Sequence, residues 1–538
     1  MQAQGASSPC HGSTGTWVLA ATILASSMAF IDSTIVNVAL PALQADLGAS
    51  VVGVQWVIES YGLTLSALIL AGGAMGDAFG RRRMFLLGVA TFAVASAGCG
   101  FARDLHQLIF ARAIQGIGAA FLVPGSLALI SASFEDKERG RAIGTWSGST
   151  AITTAIGPVI GGWLIQHWSW RWAFFLNVPL AAAVIAIALW RVPESKSRHR
   201  QPIDWWGAAA VTLGLSGLVF GFLESANLGW RNPWIIAGLA GGALCIAGFL
   251  FIEARAHSPM VPLVLFRSRA FSGANLLTFF LYAAVGIFFF LFPLDLIQVQ
   301  RYTATQAGAA ILPLILLMFL LSRWSGGLVD RYGPRLPLIV GPLVVASAFL
   351  LLALPSIGSS YWKSFFPALT ALGLGMALSV APLTTVVMQS IEPDRAGTAS
   401  GINNAVARVS GLLAIAILGV VMVAAFGERL HRSLAGLEMP PQARTELQSN
   451  QNKLAALRAP AGVEPATAVV VDSSIAVAFQ YGFRLIMWIC AALAVASAAV
   501  AWRMIGSRPL QEPVSAAQES LSGPIRSGMR VQRQHLSI

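Results

Sequence analysis

Apolar runs of about twenty residues, separated by short polar turns, recur along the whole chain. They begin near Trp17, Val51, Met84, Leu105, Ala142, Ala173, Trp205, Trp234, Phe271, Thr305, Leu336, Tyr361, Thr398 and Ala476, fourteen in all. Each is long enough to cross a hydrocarbon layer of roughly 30 Å. Backbone polar groups must be satisfied inside lipid, and the runs are too long and too solidly apolar for barrel strands, so they predict fourteen membrane helices. One connection breaks the pattern. Residues 427–474 are long and polar, with a helix-like piece over 441–457 that starts on prolines suited to a first helical turn.

Two of the short turns are alike. GGAMGDAFGRRR at 72–83 and GGLVDRYGPR at 326–335 share a spacing: Gly73, Asp77 and Gly80 in the first, Gly326, Asp330 and Gly333 in the second, followed by Arg81 and Arg335, with Arg331 inside the second. Glycine, aspartate and arginine favour any tight turn at a membrane surface. Two such turns in matching places suggest a duplicated bundle. They follow the second and tenth runs, so two six-helix halves leave a central pair, 205–223 and 234–253, as an insertion. The predicted fold is an all-α integral membrane protein of two six-helix bundles plus two inserted helices. Its parts are a cytoplasmic tail 1–16, a first bundle 17–192, a linker with the inserted pair 193–270, a second bundle 271–506 containing the loop 427–474, and a disordered cytoplasmic tail 507–538.

Composition agrees. Of 538 residues 56% are hydrophobic and 11% charged, against roughly 25% charged in soluble domains. The formal charge of +12 does not indicate nucleic acid, because the basic residues are scattered over loops and tail rather than gathered on one face. In the short loops sixteen Lys and Arg lie on one side and five on the other. The positive-inside rule then places both termini and both glycine-rich turns in the cytoplasm, in a bacterial inner membrane. The first fifteen residues lack Lys and Arg, and the run after them is too long for a signal-peptide core, so it reads as a retained span. Cys10, Cys99, Cys245 and Cys490 are far apart, without metal spacing. All seven histidines fall in tails or loops, with no HExxH, no Ser/His/Asp set and no phosphate-binding loop, which argues against a membrane-embedded enzyme.

A charge near the centre of a span costs about 2.5 to 3.5 kcal/mol, so it needs a partner or a task. By helical rise, Asp32 lies roughly 13 Å from the outer end of the first span, Glu59 roughly 12 Å into the second and Arg112 roughly 10 Å into the fourth. The three fit one layer. An opposite charge lowers a carboxylate pKa and burial raises it. An Asp32 that alternates between Arg112 and a dry cavity would therefore take up and release a proton each cycle. The other reading is a static ion pair joining two helices, and for Glu59 the two readings stand level. Gln115 shares a helix face with Arg112. Gly157 and Gly161 form a small-xxx-small pair, with Gly162 beside it and Pro158 able to bend the helix.

In the second half, Arg323, Arg408 and Arg484 lie within spans, and Asn404 is placed to bond the Arg408 guanidinium. Asp295 and Arg484 lie near outer ends, where they can snorkel. Phe279, Phe280, Tyr282 and the run Phe288, Phe289, Phe290 make the ninth span aromatic, either a wall for lipophilic ligands or core packing. Gln115, Asn404, Arg408, Phe279, Tyr282 and Asp295 are the candidate cavity residues.

Four stretches, IDSTIVNVALP at 31–41, the turn at Gly73, RAIQGIGAA at 112–120 and GPVIGG at 157–162, resemble the major facilitator superfamily. Within it the chain resembles the fourteen-span drug:proton antiporters, and WSWRWAFFLNVP at 168–179 is a further branch-like signature. It departs from the family at Ala78, where a basic residue is usual, and at Glu59 and Asp295, where uncharged residues are. The resemblance implies that Asp32 and Arg112 serve proton coupling and that the Gly157 motif marks antiporters. The expected function is proton-coupled efflux of lipophilic small molecules by alternating access, with a proton-coupled importer as the alternative. Protons are the coupling ion, no other cofactor is expected, and the partners are the substrate and the bilayer.

Overall fold

The computed structural model describes residues 13–134, 136–196, 204–256, 259–391 and 396–506. The expectations for Arg395, for residues 1–12 and for the tail 507–538 lie outside them, as do those for the side chains of Arg323 and Asp330. Fourteen helices are long and apolar enough to cross a membrane. Spans 1 to 6 are Thr14–Asp46, Val51–Phe79, Arg81–Phe101, Leu105–Ser133, Arg141–His167 and Trp172–Arg191. Spans 7 and 8 are Trp205–Leu228 and Pro233–Arg255. Spans 9 to 14 are Arg269–Val299, Ala304–Ser322, Arg335–Leu352, Tyr361–Gln389, Thr398–Leu434 and Pro465–Met504. The chain is a multi-pass membrane protein, and among the described residues it has no strand.

Local sequence sets where the helices start and stop. Ser50, Asp104, Asp204 and Ser268 accept from backbone N–H groups of the first turns of spans 2, 4, 7 and 9, which relieves donors that have no helical partner. Thr303 and Gln306 form a reciprocal capping box ahead of span 10. Gly80 and Gly333 end the helices before the two glycine-rich turns with φ of 120° and 74°, a region that disfavours any residue with a Cβ. The duplication therefore extends to backbone geometry.

The last two spans overrun the sequence expectation. Span 13 continues to Leu434 and span 14 begins at Pro465, so the polar connection narrows to 435–464. It holds a helix Pro441–Ser449 and a short turn Gln451–Ala456. Val471 and Ile475 are buried, and Asp472 accepts from the Ala459 amide, so the loop itself supports the extra turns of span 14.

Packing repeats between the halves. Span 1 packs on 5 and 6, span 2 on 4, and span 3 on 4; span 9 packs likewise on 13 and 14, span 10 on 12, and span 11 on 12. The halves meet along two seams, span 2 against span 13 and span 5 against span 10. Spans 7 and 8 pack on each other, and span 7 lies over the first seam, against spans 2 and 13. The Trp56 indole N–H donates to Glu224 at 2.8 Å, tying the inserted pair to the first half. A cavity of about 990 Å³ lies along the second seam.

Candidate functional site

Span 1 presents two faces with different chemistry. Asp32 points into the first bundle and is completely buried, and Arg112, 1% exposed, meets it from span 4 with Nη1 2.6 Å from Oδ2. Both ends of the pair are held by further bonds. The other carboxylate oxygen accepts from Gln115 Nε2 at 2.8 Å and Asn177 Nδ2 at 3.1 Å. Arg112 Nε donates to the Val57 carbonyl at 3.0 Å, Nη1 also donates to Gln115 Oε1 at 2.7 Å, and the guanidinium carbon lies 4.2 Å from the centre of the Tyr61 ring. Gln115 and Asn177 also donate to Ser96 Oγ, and the Ser96 hydroxyl donates to the Phe174 carbonyl. Spans 1, 3, 4 and 6 are thus closed on one buried polar knot. A buried ion pair is tolerable only when its remaining hydrogen-bonding capacity is satisfied in this way.

The Asp32 and Arg112 placed in one layer from the sequence are in direct contact. Gln115 belongs to their knot and not to a substrate cavity. Glu59 does not join them. It is fully buried, but it stands between Gln55, which donates to the Ile415 carbonyl, and Gly62, which packs on Leu412, so its helix face is turned to span 13 at the first seam. Neither of its carboxyl oxygens has a hydrogen-bond partner among the described residues. Equal depth did not bring the two acids together, because the helix azimuth separates them.

One residue further along span 1 the surroundings change. Ser33, Thr34 and Asn37 line the cavity, with Thr154 and Pro158 from span 5, Tyr282 and Phe289 from span 9, Met318 and Phe319 from span 10, and Met376 from span 12. Its lining runs along span 5 from Pro158 to Gly144, about 21 Å of helix toward the glycine-rich turns. At the other end the halves are in contact. Gly162 packs on the Ala304 backbone and Gly308 on that of Pro158, and Thr305 Oγ1 donates to Gln166 at 2.7 Å. Farther out, Gln298 donates to Gln44, which itself donates to the Lys453 carbonyl of the 435–464 loop. The cavity is sealed on the loop side.

The GPVIGG motif lies between these two environments. Gly157 and Gly161 let span 1 approach, a Cβ on Gly161 falling 2.7 Å from Ile35, while Pro158 and Gly162 face span 10 of the other half. Small residues on two faces of one helix permit backbone contact on both sides. Span 5 is therefore packed against the helix that carries Asp32 and against the opposite bundle.

Of the remaining cavity candidates, only Tyr282 lines it. Phe279 packs edge-on to Phe280. Asn404 donates to the Ser400 carbonyl of its own helix at 3.1 Å, and Arg408 is half-buried; neither lines the cavity. Asp295 does not snorkel. A π-helical turn, Asp295–Val299, folds it inward to 2% exposure. In the first glycine-rich turn Asp77 pairs with Arg81 at 2.7 Å at the surface, a geometry worth on the order of 0 to 1 kcal/mol. Ala78 leaves no charge there, and Glu194 from the segment after span 6 occupies the turn instead, accepting from the Arg82 amide at 3.0 Å. Arg331 of the second turn lies over the Tyr332 ring. Gly73 faces Pro124, and a Cβ on Gly326 would meet open space. Ser96 and Asn177 were missed by sequence reasoning. Asn177 carries a signal, a lone amide inside the apolar FFLNVP run, whereas Ser96 among small residues carries none.

A family model of the Major Facilitator Superfamily matches residues 22–214 and 205–415. The Multidrug resistance protein Stp of Mycobacterium tuberculosis (strain ATCC 25618 / H37Rv) is 36% identical over 410 residues, 76% of this chain and 75% of that protein. The Tetracenomycin C resistance and export protein of Streptomyces glaucescens is 33% identical over 509 residues, covering 92% and 93%. Among solved structures, an inward-facing, unoccupied bacterial homolog of the human lysosomal transporter Spinster aligns with TM-score 0.64 at 18% identity, covering 92% of this chain and 98% of that one. At that identity the likeness speaks for the fold.

Proposed function

Since the chain belongs to the major facilitator superfamily, and is a transporter rather than an enzyme, we propose that it is a proton-driven exporter of lipophilic small molecules. It works by alternating access in a bacterial inner membrane, with both glycine-rich turns in the cytoplasm. Protons are its coupling ion. The observation that carries this reading is a fully buried Asp32–Arg112 pair, one residue from a side chain lining a large apolar cavity. Intramembrane charges are functional by default, proton relays among their uses, and the names of the relatives, multidrug resistance and tetracenomycin C export, support the outward sense.

The geometry suggests how a proton acts. While Asp32 is charged, three donors from spans 4 and 6 hold span 1 inside the first bundle. A proton on Asp32 removes the charge that Arg112 is paired with, and the guanidinium keeps the Val57 carbonyl, the Gln115 amide oxygen and the Tyr61 ring. Span 1 is then free to shift. Because Thr34 and Ile35 rest on Gly157 and Gly161, its shift displaces span 5, and span 5 forms the closed end of the seam with span 10. Protonation and substrate thus bias the same two-state element from different sides, which is what coupling requires.

Everted membrane vesicles test this. With the vesicle interior made acidic, the wild type should accumulate substrate inward, the topological equivalent of export, and Asp32→Asn should fall to the passive rate while retaining substrate exchange without a gradient. Gradient-driven accumulation by Asp32→Asn removes Asp32 from the mechanism. A proton-driven flux of the opposite sign makes the protein an importer.

A further inference from the structure

The chemistry of the cavity lining narrows what it carries. We infer that it selects uncharged aromatic molecules with polar edges and rejects permanent cations. The inference rests on the exporter reading for its biological meaning, but not for its test.

One wall of the cavity is polar and uncharged. On span 1 the Ser33 hydroxyl donates to the Phe30 carbonyl at 2.8 Å and the Asn37 amide donates to the Ser33 carbonyl at 3.0 Å, which leaves the second Asn37 N–H free to donate and Ser33 Oγ and Asn37 Oδ1 as acceptors. On span 5 the Thr154 hydroxyl donates to the Thr150 carbonyl at 2.7 Å and leaves its oxygen in the same role. The facing wall is Phe289, Phe319 and Met376, a flat and polarizable surface suited to an aromatic ring. Hydrogen-bonding groups on the edge of a ring and an apolar face beside them match this arrangement.

No carboxylate is among the described residues that line the cavity. The three acids buried in spans 1, 2 and 9 lie elsewhere. Asp32 follows the opposite face of span 1 and is neutralised by Arg112 at 2.6 Å. Glu59 is at the first seam, under spans 7 and 13, and Asp295 is in the π-turn on the loop side. A cation entering here sheds its water without meeting an opposite charge, a penalty that exceeds what one ring face returns.

Equilibrium dialysis of the purified protein, without a gradient, tests the preference. The probes are an uncharged hydroxylated anthraquinone and the same ring system carrying a trimethylammonium group. The wild type should bind the uncharged probe at least about tenfold more tightly, and Met376→Glu should shift that ratio by about tenfold toward the cation. Thr154→Asp, on the facing span, gives the same readout where Met376→Glu fails to fold. Equal wild-type affinity for the two probes overturns the inference, as does an unchanged ratio in both variants. Because binding is read without a proton gradient, a preference that survives alongside absent proton-driven export sinks the exporter reading alone.

Discussion

The two halves share a plan and differ in what fills it. In the first, spans 1, 3, 4 and 6 enclose Asp32, Ser96, Arg112, Gln115 and Asn177, a charged knot without solvent. In the second, the equivalent spans 9, 11 and 12 enclose Phe288, Phe292, Phe349 and Phe365, with ring centres 4.9 to 6.0 Å apart. Buried polar bonds between its helices are neutral, with Asn403 donating to Asn275 and Thr278 between spans 13 and 9 and the Ser497 hydroxyl donating to the Leu277 carbonyl between spans 14 and 9. A duplicated fold has kept its helix contacts and divided its labour. The first bundle holds a buried carboxylate paired with a guanidinium. The second has a stiff apolar packing that supplies the wall of the cavity and a firm partner for span 5.

That division is open to direct attack. The largest effect is expected from Arg112→Ala, which leaves Asp32 buried beside no cation and should cost about 3 to 5 kcal/mol. Thermal unfolding of the purified protein would show it, and adding Asp32→Asn should recover part of the loss. If the double variant is no more stable than the single one, the pair is not the organising contact of the first half. Phe292→Ala should cost about 3 kcal/mol through the void it leaves, yet its transport should keep the wild-type dependence on the proton gradient. Loss of that dependence with the fold intact would show that the second bundle shares the coupling.

Smaller effects sharpen the picture. Gly308→Val sets a side chain against the Pro158 backbone and should destabilise the loop-side closure by about 1 to 3 kcal/mol. Cysteine cross-linking between the loop-side ends of spans 5 and 10 should then fall, and unchanged cross-linking would mean that this contact does not hold the seam. Asn403→Ala should cost only about 0.6 kcal/mol, the usual worth of an interhelical hydrogen bond within a membrane. A larger loss of stability, or any change in proton dependence, would place a second polar centre where the halves now differ most.

Much of this was legible in the residues. Thirteen of the fourteen apolar runs begin within three residues of the observed helix starts, because lipid forces any long apolar segment to satisfy its own backbone. The contact of Asp32 with Arg112 was legible for a similar reason: two opposite charges at one depth in a low-dielectric layer have few other partners. What sequence could not supply was direction around the helix. Glu59 shares that depth, yet its face turns to span 13; Asn404 is one turn from Arg408, yet its amide finds the Ser400 carbonyl.

The sequence by itself determined the number of crossings and set Asp32 and Arg112 at one depth, since both follow from positions along one dimension, the membrane normal. Only the tertiary structure decided that Asp32 and Ser33, adjacent in the chain, belong to different compartments, one sealed in a bundle and the other facing a cavity. That separation comes from the rotation of span 1 between span 4 and span 5. Close packing of many helices fixes such an angle, and no local run of residues encodes it.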